Sequence, residues 1–157
     1  MALNEEQIEA YNRRELGRLA KAFTLMGDEA VAEARVAANE FATFALSEIR
    51  KEARTRTKGT KAVVRIAEGA KVSASSKTGR IDLGFAGQKF SGGGSTQLLW
   101  AGYEFGSKKF RQYPSWSGRY GAGSRGWFIY PTLRRIQPEL TKKWEEVANT
   151  IIKKWTA

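Results

Sequence analysis

Between Tyr103 and Pro131 the sequence gathers cations, aromatic rings and glycines in one stretch, YEFGSKKFRQYPSWSGRYGAGSRGWFIYP. Lys108, Lys109, Arg111, Arg119 and Arg125 are interleaved with Phe110, Tyr113, Trp116 and Tyr120, and Glu104 is the only acid present. Cations in such a setting neutralise phosphates while aromatic faces stack on unpaired bases, the combination that single-strand binders use. The same residue types build protein interfaces, where tyrosine, tryptophan and arginine give large contact area at modest entropic cost. A third reading is a surface flap covering the core with Trp116 and Trp127. The residues by themselves leave these three open.

Acid–base and nucleophilic chemistry has little to draw on. The chain has neither cysteine nor histidine, which removes thiolate and imidazole nucleophiles, disulfides and the commonest transition-metal ligands. Asp82 and Glu104 would make a carboxylate pair if their strands were neighbours, as glycosidases and metal-dependent nucleases require. In a chain so rich in arginine, two such acids are more often ion-paired structure. The runs SGGGST and GYEFGSKK lack the Walker spacing of glycine, lysine and hydroxyl ahead of a helix, so they read as turns. The expectation is a protein that is not an enzyme and uses no cofactor or metal.

Charge narrows the class of partner. The net charge is +11 over 157 residues, but residues 1–56 hold nine basic and ten acidic side chains, whereas residues 57–157 hold eighteen basic and six acidic. The excess of the second part favours an anionic partner, either nucleic acid or an acidic protein surface. The start, MALNEEQIEAYNRRE, reads as neither a signal nor a transit peptide, and no apolar run reaches membrane-spanning length. A soluble intracellular protein with no membrane partner is expected.

The elements that must position these residues follow from periodicity. Asn4 caps a helix with Gln7 at the capping-box position, and Ile8, Tyr11, Leu19, Phe23 and Met26 lie near one stripe before Gly27 ends it. Asp28 opens a second helix whose Val31, Ala34, Ala38, Phe41, Ala45 and Ile49 recur at helical spacing. KAVVRIAEGAKVSAS, with a Glu68-Gly69 turn, GRIDLGFAG, and Thr96 to Phe105 read as strands. Leu140, Trp144, Val147, Ile151 and Trp155 form the stripe of a last helix. Pro138 predicts a short turn near 132–136 and the main helix from 138. The chain therefore reads as a single α+β domain over 1–157. Residues 1–27 are an N-terminal helical extension, 28–56 a long helix, and 60–105 a small antiparallel sheet of three to four strands. A basic-aromatic loop over 106–130 leads to a C-terminal amphipathic helix at 132–156.

In this order the features resemble the tail-completion, or head–tail joining (neck), family of long-tailed bacteriophages, relatives of the lambda Z-type minor tail protein. The family pattern of a tyrosine, a glutamate, an aromatic or aliphatic residue and a glycine is matched by Tyr103, Glu104, Phe105 and Gly106. Its downstream aromatic before a proline is matched by Phe128 and Pro131, with Trp127 where the family often has proline. The resemblance covers most of residues 28–155 and implies a tail-terminator-like fold and a non-enzymatic ring subunit, a homo-oligomer of about six copies. It would join the head connector to the tail tube around the DNA channel, in the virion neck, after synthesis in the bacterial host cytoplasm. Neighbouring connector and tail-terminator or tail-tube proteins would be its partners. Tyr103, Glu104, Phe105, Gly106, Trp116, Phe128 and Pro131 would then lie at a subunit or ring contact. Lys108, Lys109, Arg111, Arg119 and Arg125 would meet channel DNA or an acidic neighbour. The alternative is a small basic nucleic-acid-binding protein that uses the 108–125 loop as its grip.

Overall fold

The computed structural model describes residues 17–18, 21–56, 61–73, 80–82, 89–90, 92–107, 109–110, 113 and 126–155. In that part the chain is mostly helical with one small antiparallel sheet, an α+β arrangement. A first helix, α1, is described over residues 21–26. Four further helices are α2 (Asp28–Arg56), α3 (Lys61–Glu68), α4 (Thr96–Phe105) and α5 (Ile129–Trp155). Strands β1 (Lys71–Val72) and β2 (Ile81–Asp82) lie between α3 and α4 and pair Lys71 with Asp82 and Val72 with Ile81.

The frame is an antiparallel pair of long helices, α2 and α5. Alanines at 30, 34, 37, 38, 42, 45 and 53 bury one face of α2, and small side chains there let another backbone approach closely. Near the start of α2, Ala30 and Ala34 pack with Phe23, Ala148 and Ile151. Near its end, Ile49 and Ala53 pack with Val63, Ile66, Ala67, Phe128 and Ile129. Between these clusters Phe41 meets Trp144 edge-on at 5.0 Å, and Glu48 accepts from Arg135 at 3.0 Å. Both long stripes read from the sequence therefore face each other. Gly27, with φ of +111°, separates α1 from α2, and Asp28 and Glu29 stand at the positive end of α2. Ile8, Tyr11 and Leu19 of the expected first stripe lie outside the described residues, while Phe23 is buried.

Two expected strands are helices, and the sheet is smaller than the three to four strands anticipated. Val63 and Val64 give KAVVRIAE a β-prone composition, yet Val63, Ile66 and Ala67 bury one helical face against α2. Arg50 of α2 fixes the end of α3: its Nε donates to the Ala67 carbonyl at 3.1 Å and its Nη2 to the Ala70 carbonyl at 3.0 Å. Four arginines and lysines near 50–56 suggest charges for the end of α2 itself. Arg50 instead serves the carboxyl end of its neighbour.

Residues 96–105 form α4, with Ser95 extended before it and Gly106 closing it at φ 81°, its amide donating a hydrogen bond to the Gly102 carbonyl at 2.8 Å. A glycine with positive φ just past the last turn is a helix stop. Residues 92–95 turn into α4: Phe90 N donates to the Gly94 carbonyl at 2.7 Å and Lys89 bridges Ser95. At the other end, α5 starts at Ile129 and runs through Pro138 without the turn expected at 132–136. Thr132 and Ile136 are buried on the near side of Pro138, which is itself exposed. Tertiary burial there outweighs the roughly 3 kcal/mol that an interior proline costs.

Candidate contact site around the Glu104 joint

Glu104 is fully buried, at 0% exposure, although a carboxylate is among the costliest groups to enclose. Its partners explain this. Oε2 accepts from the amides of Phe128 and Ile129 at 2.9 Å each, and Oε1 accepts from the amide of Tyr130 at 2.8 Å. These are first-turn amides of α5, which no helical carbonyl can satisfy. Pro131 follows and has no amide to satisfy. The whole opening turn is thus completed by one side chain from α4, whose negative charge also meets the positive end of the α5 dipole.

The residues around Glu104 make this geometry possible. Gly126 has φ of +82°, and a methyl group there would overlap Oε1 of Glu104. Phe128 is fully buried, and its carbonyl accepts from Thr132 Oγ1 at 2.7 Å. Phe105 stacks at a tilt on Tyr130 with centroids 5.4 Å apart, which ties α4 to α5 a second time. Tyr103 meets Tyr113 edge-on at 4.9 Å. Burial, and then the neighbouring Tyr113, push the Tyr103 hydroxyl above its ordinary pKa. Tyr113 lies across Gly102, where a methyl group would collide with the ring.

Tyr103, Glu104, Phe105, Gly106, Phe128 and Pro131 therefore come together, although the two halves of the motif are far apart in sequence. Their arrangement is a mechanical joint. The reading of Glu104 and Phe128 as ring-contact residues gives way to an interior role, since both are enclosed by this chain's own residues. Tyr103, Phe105 and Pro131 are half-buried. Asp82 forms an ion pair with Arg80 at 2.5 Å, while both oxygens of Glu104 are held by amides, so each acid of the considered pair is engaged by its own partners. Among the described residues no three acidic side chains gather to hold a metal ion.

Of the basic-aromatic segment, Lys108, Arg111, Trp116, Arg119 and Arg125 lie outside the described residues. Lys109 is exposed, with its ammonium 5.4 Å from the centre of the Phe110 ring. Ser107 Oγ accepts from the amides of Lys109 at 3.1 Å and Phe110 at 3.0 Å and so turns the chain after α4. Gly102, Gly126 and Arg50 are the positioning residues that sequence reasoning missed. One signal was available for the joint: from Lys89 to Pro138 the chain contains a single acid, Glu104, among eight basic residues. A lone acid in such a tract has a specific place to be.

Compared with protein-family models, with curated proteins and with solved structures, the chain matches none.

Proposed function

We propose that this protein is a structural subunit of the head–tail junction of a long-tailed bacteriophage, a tail-completion or neck protein with a tail-terminator-like fold. It would act in the virion as a ring of about six copies, between the head connector and the tail tube, with its cations toward neighbouring rings or the DNA that passes through. The observation that carries this reading is the joint itself. Glu104 in the last turn of α4, which Gly106 closes, accepts from the amides of Phe128 and the two residues after it, ahead of Pro131, and so completes the start of α5, a structural reason for those residue types to occur together. A motif that holds a shape, with its one acid taken up by three backbone amides, suits an assembly subunit better than a catalyst. Mass spectrometry of purified virions is expected to find this chain in fixed proportion to tail-tube protein, and deletion of its gene should leave heads and tails unjoined. Virions that lack it, with assembly unaffected by deletion, would overturn the reading.

A second reading is supported by the same basic tract: a nucleic-acid binder that grips through its cations. Anisotropy titration of fluorescent single-stranded and duplex DNA near physiological salt separates the two, because phosphate contacts lose affinity steeply as salt rises. For the assembly subunit, only weak binding should survive at that salt. It should change little when Lys108, Lys109, Arg111, Arg119 and Arg125 are replaced by serine. Sub-micromolar affinity that depends on those five would favour the nucleic-acid reading.

A further inference from the structure

Among the described residues, helices α4 and α2 each leave a face exposed, and the two faces differ in charge. On α4, Leu98 is 77% exposed and Ala101 is exposed beside it. With Phe105 they recur at spacings of three and four, which places them on one side of the helix. An exposed lysine stands near each end of α4. Lys89 is joined by its backbone bridge to Ser95, the residue just before α4. Lys109 follows Phe105 by four positions and lies over Phe110, which is 50% exposed. The one acid of α4, Glu104, is turned away into the α5 joint.

The complementary face is on α2. Glu29, Ala32, Val36 and Glu40 are all exposed, Val36 to 59%, and their spacing again defines a single stripe. Here an aliphatic side chain is bracketed by acids, as Leu98 is bracketed by lysines. At about 1.5 Å per residue, Glu29 to Glu40 and Ser95 to Phe105 each span about 15–17 Å. The two faces are similar in length and opposite in charge.

We infer that the α4 face of one copy receives the Glu29–Glu40 stripe of α2 from a second copy, with Leu98 against Val36 and Lys89 and Lys109 toward the two glutamates. A phosphate backbone would satisfy the lysines and leave Leu98 in water, whereas the α2 stripe answers both. The two patches are different surfaces of one chain, so the contact is head to tail and repeats from copy to copy. Closure of the repeat into a ring rests on the reading proposed above; the pairwise contact does not.

Sedimentation velocity of the full chain from about 5 to about 500 μM, at low and at raised salt, tests it. The wild type should associate reversibly as concentration rises and less so at raised salt. Leu98→Asp and Val36→Arg should each abolish association while leaving the circular dichroism spectrum and Tm unchanged, because both side chains are exposed. Mixing the two variants should restore association, since one keeps an intact α2 stripe and the other an intact α4 face. A wild type that stays monomeric throughout, a single variant that associates like wild type, or a mixture that stays monomeric would each overturn the contact. So would association seen solely on adding duplex DNA and unaffected by either substitution. A monomeric wild type that is nevertheless found in virions would remove this contact and leave the neck reading standing.

Discussion

Replacing Glu104 with alanine is expected to remove about 3–5 kcal/mol of folding stability, a large share of the roughly 5–15 kcal/mol available to a domain of this size. Three amides, those of Phe128, Ile129 and Tyr130, end on this carboxylate. Its removal strands them in a buried site and vacates the volume of the side chain. Glu104→Gln separates the two causes. Glutamine fills the space but presents an amide nitrogen, a donor, to at least one of the backbone donors, so about 2–3 kcal/mol should still be lost. Urea unfolding followed by circular dichroism gives both values. A glutamine variant as stable as wild type would mean that packing, and not acceptance by the carboxylate, holds the joint; an alanine variant within about 1 kcal/mol of wild type would remove Glu104 from the joint altogether.

That joint also shows where the sequence is informative and where it is not. The long helices are legible because their stripes are long. Ala34, Ala38, Ala45 and Ile49 on α2 repeat over several turns, as do Trp144 and Ile151 on α5, and all but Trp144 are buried. With eight and ten residues, α3 and α4 offer about two or three turns each. Over such lengths Val63-Val64 and Leu98-Leu99-Trp100 look as much like buried strands as like helices. What decides between them lies elsewhere in the chain: Arg50 of α2 holds the end of α3, and Glu104 of α4 must reach the start of α5.

Pro138 misleads for a related reason. Its local cost is real, but the burial of Thr132 and Ile136 ahead of it is a tertiary fact that no local rule contains. In the candidate site the residue types set Tyr103 to Gly106, Phe128 and Pro131 apart, while the interior role of Glu104 and Phe128 was not legible. A glutamate in a basic tract reads as a surface ion pair until the three amides it satisfies are known. Gly126 was hidden for the same reason, because its need for positive φ and for open space beside Glu104 arises solely in the folded joint.

Phe128 and Phe105 should separate the core of the joint from its outer side. Phe128 is fully enclosed and belongs to the cluster that joins α2, α3 and α5, so Phe128→Ala should cost about 3–5 kcal/mol through lost burial and the cavity left behind. Phe105 is half-buried and touches Trp100 at 6.4 Å and Tyr130 at 5.4 Å between centroids. Its truncation should cost less, about 1–2 kcal/mol, of which the ring pairing supplies about 0.5–1.5 kcal/mol. Denaturant midpoints of the two single variants and the double variant measure this directly. The single costs should add to within about 0.5 kcal/mol if the two rings act in separate environments. A Phe105→Ala variant that folds near wild type yet fails to associate would extend the α4 contact face to its last turn. If Phe105→Ala were as destabilising as Phe128→Ala, then α4 would be held to the core along its whole length, and the uncovered face would end at Ala101.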